Sequence, residues 1–408
     1  MTLRKEILAG ISTFFTVSYL ILLYPKILSE GGIDFGAAFT ATILTIFAST
    51  LLLSVLVSFP VLLVPGLSVG PFLVYSVILE QGAPWQTALG MVFWAGVAIF
   101  LLTLFKVRQK ILLHLPASMK SAAIGGIGLF LICIGLKNLG FPQKEAWNME
   151  SGIAFLGLFL IFVLHHFRIG SSFLIAIFFC WILSVALKLS HFSFGLALPS
   201  SLSPTLLQLE WAIDSKWFGT LISIILIALF DSSASLTVLS RLSHHLDARG
   251  EIRNVDRIML PDGLGSMLAA VLGTGTLTYS LESSAGIKAG GRGRGTAITA
   301  AFLCLACLFF FPLIQSIPLF ATTPAILAIG CFMVFEIKKI SWKKASEWVP
   351  ALISLITIPT TFSIYLGFGF GFVSYALLKA LKREWKEVHP VCWTLAALFA
   401  VHFLWTVL

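Results

Sequence analysis

Apolar runs of membrane-crossing length follow one another from residue 11 to residue 407, and only short polar clusters separate them. A helix needs about 20 mostly apolar residues to cross the hydrocarbon of a bilayer. Segments that approach this requirement lie at 11–28, 36–58, 60–79, 86–105, 118–137, 152–167, 171–188, 217–240, 258–273, 276–289, 295–316, 323–337, 349–361, 363–381 and 390–407. Composition agrees: 58% of the 408 residues are hydrophobic and 11% are charged, against roughly 25% charged in a soluble domain. Too little polar surface remains to coat a water-soluble fold of this size. Disorder, collagen, a coiled coil and a disulfide-stapled secreted module are excluded by the same figures. The expected fold class is an all-α polytopic membrane protein.

The net charge is +9, and its placement matters more than its sign. Lys and Arg cluster between apolar runs, at Lys106-Arg108-Lys110, Arg241 through Arg257, Arg292-Arg294, Lys338-Lys339-Lys343-Lys344 and Lys379 through Lys386. Such clusters read as cytoplasmic loops rather than as a nucleic-acid surface. With the N-terminus inside and each segment crossing once, most of the basic residues fall on the cytoplasmic side. Arg4 and Lys5 precede the first apolar run without a clean cleavage site, which predicts an uncleaved first span. The last segment, 390–407, is the one for which an interfacial position stays open. The six Cys lie in or beside apolar stretches. Cys304 and Cys307 have metal-type spacing but no second ligand pair, so packing is expected, with no metal or cofactor.

Three of the segments, 60–79, 276–289 and 349–361, are too short or too broken by Gly and Pro for simple spans. The first two lie about 210 residues apart, and the long segments 86–105 and 295–316 keep the same offset. So do 11–28 and 217–240. Seven crossings separate equivalent elements, and an odd number places the two halves in opposite orientations. Inverted repeats with paired discontinuous helices mark secondary transporters, whose site lies at the repeat interface near mid-bilayer. The expected organisation is a first seven-span repeat at 1–190, an extracytoplasmic linker at 191–216, and a second repeat with a C-terminal hydrophobic segment at 217–408.

The first broken segment contains Pro65-Gly66-Leu67-Ser68-Val69-Gly70-Pro71-Phe72, which cannot continue an ordinary helix. Pro71 suits the first turn of a new half-helix, with residues 66–70 extended before it. The second reads Gly273-Thr274-Gly275-Thr276-Leu277-Thr278-Tyr279-Ser280-Leu281-Glu282-Ser283. It is β-compatible to about Tyr279, with a half-helix from about Ser280. Two short extended stretches could pair and so satisfy backbone groups that lipid cannot. Two acids lie inside apolar segments, Glu282 and Asp231, and intramembrane acids are expensive and usually functional. Asp262 reads instead as a helix N-terminal residue near a membrane boundary. His165-His166 and His244-His245 read as interfacial. Gly290-Gly291-Arg292-Gly293-Arg294-Gly295 loosely matches a phosphate-cradling loop, but it lacks the Lys-Ser/Thr ending, and a tight turn is expected.

At these residues the chain resembles the adenine/guanine/hypoxanthine permease branch of the nucleobase–cation symporters, related to the xanthine/uracil permeases. The likeness covers nearly the whole chain. It is carried by Glu6-Ile7-Leu8-Ala9-Gly10-Ile11-Ser12-Thr13-Phe14, Ile33-Asp34-Phe35-Gly36-Ala37-Ala38-Phe39, Trp85-Gln86-Thr87-Ala88-Leu89-Gly90, Gly126-Ile127-Gly128-Leu129-Phe130 and, above all, Glu282-Ser283-Ser284-Ala285-Gly286. The resemblance implies about fourteen spans in two inverted repeats, core and gate domains, and proton-coupled base uptake across the cell (inner) membrane. It implies a cavity built by spans three, eight and ten. Glu282 matches the span-ten glutamate that contacts the base, and Asp231 the second of two span-eight acids. The first span-eight acid falls on Ala228 and the span-three asparagine on Gly70, so two ligand-facing side chains of the family are missing here.

A nucleobase is flat, neutral and rich in N–H and C=O edges, which a carboxylate and extended backbone can match. The expected substrate-binding set is therefore Glu282, Ser283, Gly70, Ser68, Phe72, Tyr279 and Ala228, with Phe72, Tyr279 or Phe230 as a stacking face. Glu282 and Asp231 are the expected proton-coupling pair. The expected partners are a purine nucleobase (hypoxanthine, guanine or adenine), a proton and the lipid bilayer, and a homodimer is left open. An anion carrier on a related inverted-repeat scaffold and a non-transporting relative are the competing readings. An intramembrane enzyme is disfavoured, because no buried Ser/His, Asp/Asp or His/Glu constellation is present.

Overall fold

The computed structural model describes residues 3–108, 116–142, 148–193, 195–246, 252–384 and 388–407. Lys110, residues 247–251 of the basic cluster Arg241 through Arg257, and Lys386 lie outside the described residues. Nine helices among those described are long and apolar enough to cross a membrane, and Val69–Glu80, Ser172–Ala186 and Pro390–Leu404 are shorter apolar helices.

The chain begins with α1 (Leu3–Glu30) and α2 (Phe35–Leu56), the second started by Asp34, whose carboxylate accepts from the Ala37 amide. Strand β1 (Leu63–Pro65) and α3 (Val69–Glu80) follow; most of α3, Phe72–Glu80, is wound in π turns. Then come α4 (Trp85–Leu104), α5 (Ala117–Asn138), α6 (Met149–His166) and α7 (Ser172–Ala186). After the linker, α8 (Ser215–Leu242) and α9 (Val255–Leu272) lead to β2 (Leu277–Tyr279). A 3-10 turn at Leu281–Ser283 opens the short α10 (Ser284–Lys288). The chain closes with α11 (Arg294–Gln315), α12 (Leu319–Lys339), α13 (Ala345–Thr361), α14 (Ile364–Leu381) and α15 (Pro390–Val407).

Both interrupted segments are extended and then helical, and they meet. β1 and β2 pair antiparallel in the register Leu63↔Tyr279, Val64↔Thr278 and Pro65↔Leu277. The Gly66 amide donates to Thr276 O (2.9 Å) and the Ser280 amide to Leu62 O (3.0 Å). Hydroxyls from neighbouring elements complete the edges. Thr50 accepts from the Leu63 amide (3.1 Å), Ser283 from the Leu62 amide (3.1 Å) and Ser266 from the Leu277 amide (2.9 Å). Non-helical backbone at this depth persists only when protein satisfies it in this way.

Around the strands pack α1, α2, α4, α8, α9 and α11; α5, α6, α7, α12, α13 and α14 pack mainly on one another. In the second group α5 and α12 touch backbone to backbone. A Cβ on Gly128 would lie 2.7 Å from Gly330 O, and one on Gly330 2.7 Å from Gly128 O. Such small-residue crossings are the usual device of membrane helices. The groups meet along a seam where Leu23, Ile27, Leu67 and Pro71 face Leu131, Ile326 and Ile329. The linker lies over the first group, through Thr40 Oγ1 to Ser200 O (2.9 Å), the Leu207 amide to Val271 O (2.9 Å) and the Glu210 amide to Gln86 O (3.0 Å). The last helix, α15, packs chiefly on α14.

Two expectations about charge are corrected. Arg108 is not a solvated loop residue: it is fully buried, and its Nη2 meets Asp262 Oδ2 at 2.6 Å. Asp262 is not at a helix start but in the middle of α9, equally buried. The glycine-rich run at 290–295 forms a turn, with Gly290 at φ +105°, and it cradles a carboxylate of the protein itself. Glu6 accepts from the amides of Arg292 (3.2 Å), Gly293 (3.2 Å) and Thr296 (2.9 Å) and from Thr296 Oγ1 (2.5 Å). An acid from α1 thus caps the start of α11, where helix amides lack partners of their own.

Candidate functional site

Glu282 lies three residues past β2, in the 3-10 turn that starts the second half-helix. Its carboxylate is half-buried and held on both oxygens: Tyr19 donates to Oε1 (2.6 Å) and Ser280 to Oε2 (2.8 Å). Thr16 donates to the Glu282 carbonyl (3.1 Å). Tyr19 and Thr16 lie three apart on α1, on the face turned towards the site. The Tyr19 ring stacks on Phe173 at the start of α7, with centroids 4.7 Å apart and planes at 19°. One side chain therefore touches both the carboxylate and the second helix group.

Asp231 is half-buried in the middle of α8. Ser68, just before α3, donates to its Oδ2 (2.5 Å). Gly66 leaves room for it: a Cβ there would stand 3.1 Å from the same oxygen. The start of α3 lies beside this acid, where helix amides and dipole favour negative charge. Among the described residues, no cation pairs with Glu282 or Asp231, and no three His, Cys, Asp or Glu side chains converge as a metal site requires.

Of the residues named from sequence, Glu282, Asp231 and Ser68 enter this polar cluster. The others are placed as follows. Tyr279 is buried and directs its hydroxyl to Ile258 O of α9 (2.7 Å), on the far side of the strand. Phe72 is fully buried. Ser283 is buried with its oxygen on the Leu62 amide, so it ties the strands together. Ala228 is buried on α8. Gly70 packs under the Tyr24 ring, where a Cβ would overlap the ring edge. Phe230 meets Phe368 of α14 edge to face, with centroids 6.1 Å apart. Sequence reasoning missed Tyr19 and Ser280. Ser280 had a signal, as a hydroxyl two residues before the acid; Tyr19 had only its place in the first apolar run.

Residues 4–380 match the Permease family of xanthine/uracil permeases. A permease of Methanocaldococcus jannaschii is 35% identical over 99% of this chain and 95% of its own length. An adenine permease of Escherichia coli is 31% identical, covering 99% of this chain and 93% of its own. A guanine/hypoxanthine permease of Bacillus subtilis is 30% identical, covering 98% and 97%. In fold, the chain is similar to the transmembrane domain of the cyanobacterial bicarbonate transporter BicA, with a TM-score of 0.67 at 16% identity over 90% of this chain and 97% of that one. It is also similar to the murine anion transporter Slc26a9 in its inward-facing state, with a TM-score of 0.68 at 12% identity over 93% and 68%. The family match over residues 4–380, relatives 30–35% identical over nearly their full length and apolar helices throughout make this chain a multi-pass membrane transporter, not an enzyme, that belongs to the xanthine/uracil permease family.

Proposed function

We propose that this permease imports a purine nucleobase (hypoxanthine, guanine or adenine) by proton symport with alternating access. The observation that carries the reading is the Glu282 carboxylate, fixed by Tyr19 and Ser280 at the junction of two interrupted spans, in a chain at least 30% identical to adenine and guanine/hypoxanthine permeases. A carboxylate with both oxygens oriented can accept further N–H bonds from the edge of a base. Tyr19 and Ser280 orient it, Ser68 orients Asp231, and the two acids carry the coupling proton. Protonation of this pair accompanies base binding and deprotonation accompanies release, the role intramembrane acids take in proton relays.

In this reading α1–α7 and α8–α14 are inverted repeats joined by the 191–216 linker, with the N-terminus cytoplasmic. The packing supports it: α1 on α11 is mirrored by α8 on α4, α2 on α11 by α9 on α4, and α6 on α12 by α13 on α5. The strand-bearing group acts as the core and the other as the gate. An anion carrier of similar fold is disfavoured, because both cluster acids lack a cation partner among the described residues and would repel an anion.

The test is uptake of labelled hypoxanthine, adenine and guanine in cells without their own purine uptake. Saturable uptake of one of them, lost with a protonophore and in Glu282→Gln, is expected. Uptake indifferent to the proton gradient removes symport, and full transport by Glu282→Gln removes the role of that carboxylate.

A further inference from the structure

The buried Arg108–Asp262 pair takes no part in the site as described. Residues 258, 262 and 266 are spaced by four and so lie on one face of α9. That face grips β2 at both ends. Ile258 O accepts from the Tyr279 hydroxyl (2.7 Å), and Ser266 Oγ accepts from the Leu277 amide (2.9 Å) while donating to Asp262 O (2.8 Å). Asp262 stands between these two grips, and Arg108, beyond the end of α4, closes on it at 2.6 Å. Glu282 follows three residues after the strand.

The pair is poorly suited to a purely stabilising role. Among the described residues, Arg108 Nε and Nη1 are buried without hydrogen-bond partners, and beyond Arg108 the Asp262 carboxylate has only the Ser232 hydroxyl of α8 beside it. A half-satisfied buried ion pair stabilises less than well-packed apolar side chains of similar volume. What it supplies is a tether: one short charge-assisted bond, Nη2 to Oδ2, ties the middle of α9 to the end of α4.

We propose that Arg108 and Asp262 are positioning residues. Together they hold α9 against α4 in the one register that sets β2, and with it Glu282, at the height of the site. The inference rests on Glu282 as the base-contacting carboxylate. Neither Arg108 nor Asp262 touches the substrate.

The experiment compares Arg108→Lys, Arg108→Gln, Asp262→Asn and the double variant Arg108→Met/Asp262→Leu. Two quantities are read: uptake kinetics for labelled hypoxanthine, adenine and guanine, and hydrogen exchange of the amides of residues 277–283 in purified protein. Arg108→Lys is expected to stay close to the parent chain. Arg108→Gln and Asp262→Asn are expected to raise KM by about tenfold or more, with the maximal rate per inserted molecule little changed and exchange about tenfold faster. Because both charges are gone, the double variant is expected to fold, yet to keep the raised KM and the fast exchange. A folded double variant with the parent KM and exchange overturns the proposal. So does loss of every variant from the membrane, Arg108→Lys included, which would place the pair in folding. If the parent chain takes up no base, the transport reading fails, while the exchange data still decide this inference.

Discussion

Tyr19 joins the two halves of the site at the scale of a single hydroxyl: it donates to Glu282 across 263 positions of sequence. A hydrogen bond to a charged group contributes about 1.5–3 kcal/mol. Tyr19→Phe, which keeps the ring against Phe173, is therefore expected to raise the KM for the transported base by about ten- to a hundredfold, as read from initial uptake rates. Asp231 calls for a different outcome. An amide can still accept from Ser68 but cannot exchange a proton, so Asp231→Asn is expected to bind base and to lose base-driven alkalinisation of the medium. Persistent alkalinisation in that variant removes Asp231 from the coupling pair. Glu282, Asp231 and Ser68 were legible in the sequence because acids and Pro/Gly breaks are rare inside apolar runs. Tyr19 was not, because a tyrosine in an apolar helix has the same pattern whether it packs, faces lipid or binds. Arg108 and Asp262 were misread for a related reason. Each flanks a polar cluster or a proline, where sequence favours a boundary, and only the fold brings the two together.

At the scale of elements, the two breaks were legible as breaks, but the first was placed too late: its extended backbone is Leu63–Pro65, while residues 66–70, expected to be extended, turn and enter the helix at Val69, before Pro71. Their pairing was open until the register of β1 on β2 was seen. The expected helical start at Ser280 is a 3-10 turn from Leu281. The glycine-rich turn before α11 was legible as a turn, but not its occupant, because Glu6 lies almost 290 residues away. Its carboxylate satisfies three amides and a hydroxyl in a buried setting. Glu6→Ala is expected to destabilise the protein by about 1–3 kcal/mol, by loss of the cap and exposure of unpaired donors. A lower thermal midpoint in detergent, with KM for the base unchanged in surviving molecules, is the expected reading. An unchanged midpoint would show that water replaces the acid at no cost.

Over the whole molecule, two helix groups meet at an apolar seam, and among the described residues polar contacts across it are few. One of them is the Asn138 amide of α5, which donates to the Tyr75 hydroxyl of α3 (3.0 Å); Tyr75 in turn donates to Glu30 of α1 (3.0 Å). If transport moves one group against the other, this contact must break in each cycle. Because a tyrosine side chain lies between the two backbones, a direct disulfide would not span them; a reducible bis-thiosulfonate cross-link between Asn138→Cys and Tyr75→Cys, in a chain freed of its six native cysteines, is expected to arrest uptake until a reductant restores it. Undiminished uptake in the cross-linked state rules out relative motion there. That apolar helices of membrane-crossing length succeed one another was readable from hydropathy, and nine of the described helices meet that length. The division into groups was not readable, because membrane helices are apolar on all sides and show no preferred neighbour.

The paired strands also have a consequence for synthesis. β1 leaves the ribosome more than 200 residues before β2 exists. Until then its amides and carbonyls have no mate, and hydrocarbon offers none. The first third of the chain therefore cannot finish maturing as it is made. It must wait, shielded by the insertion machinery or by its own helices, for a strand that the second half supplies.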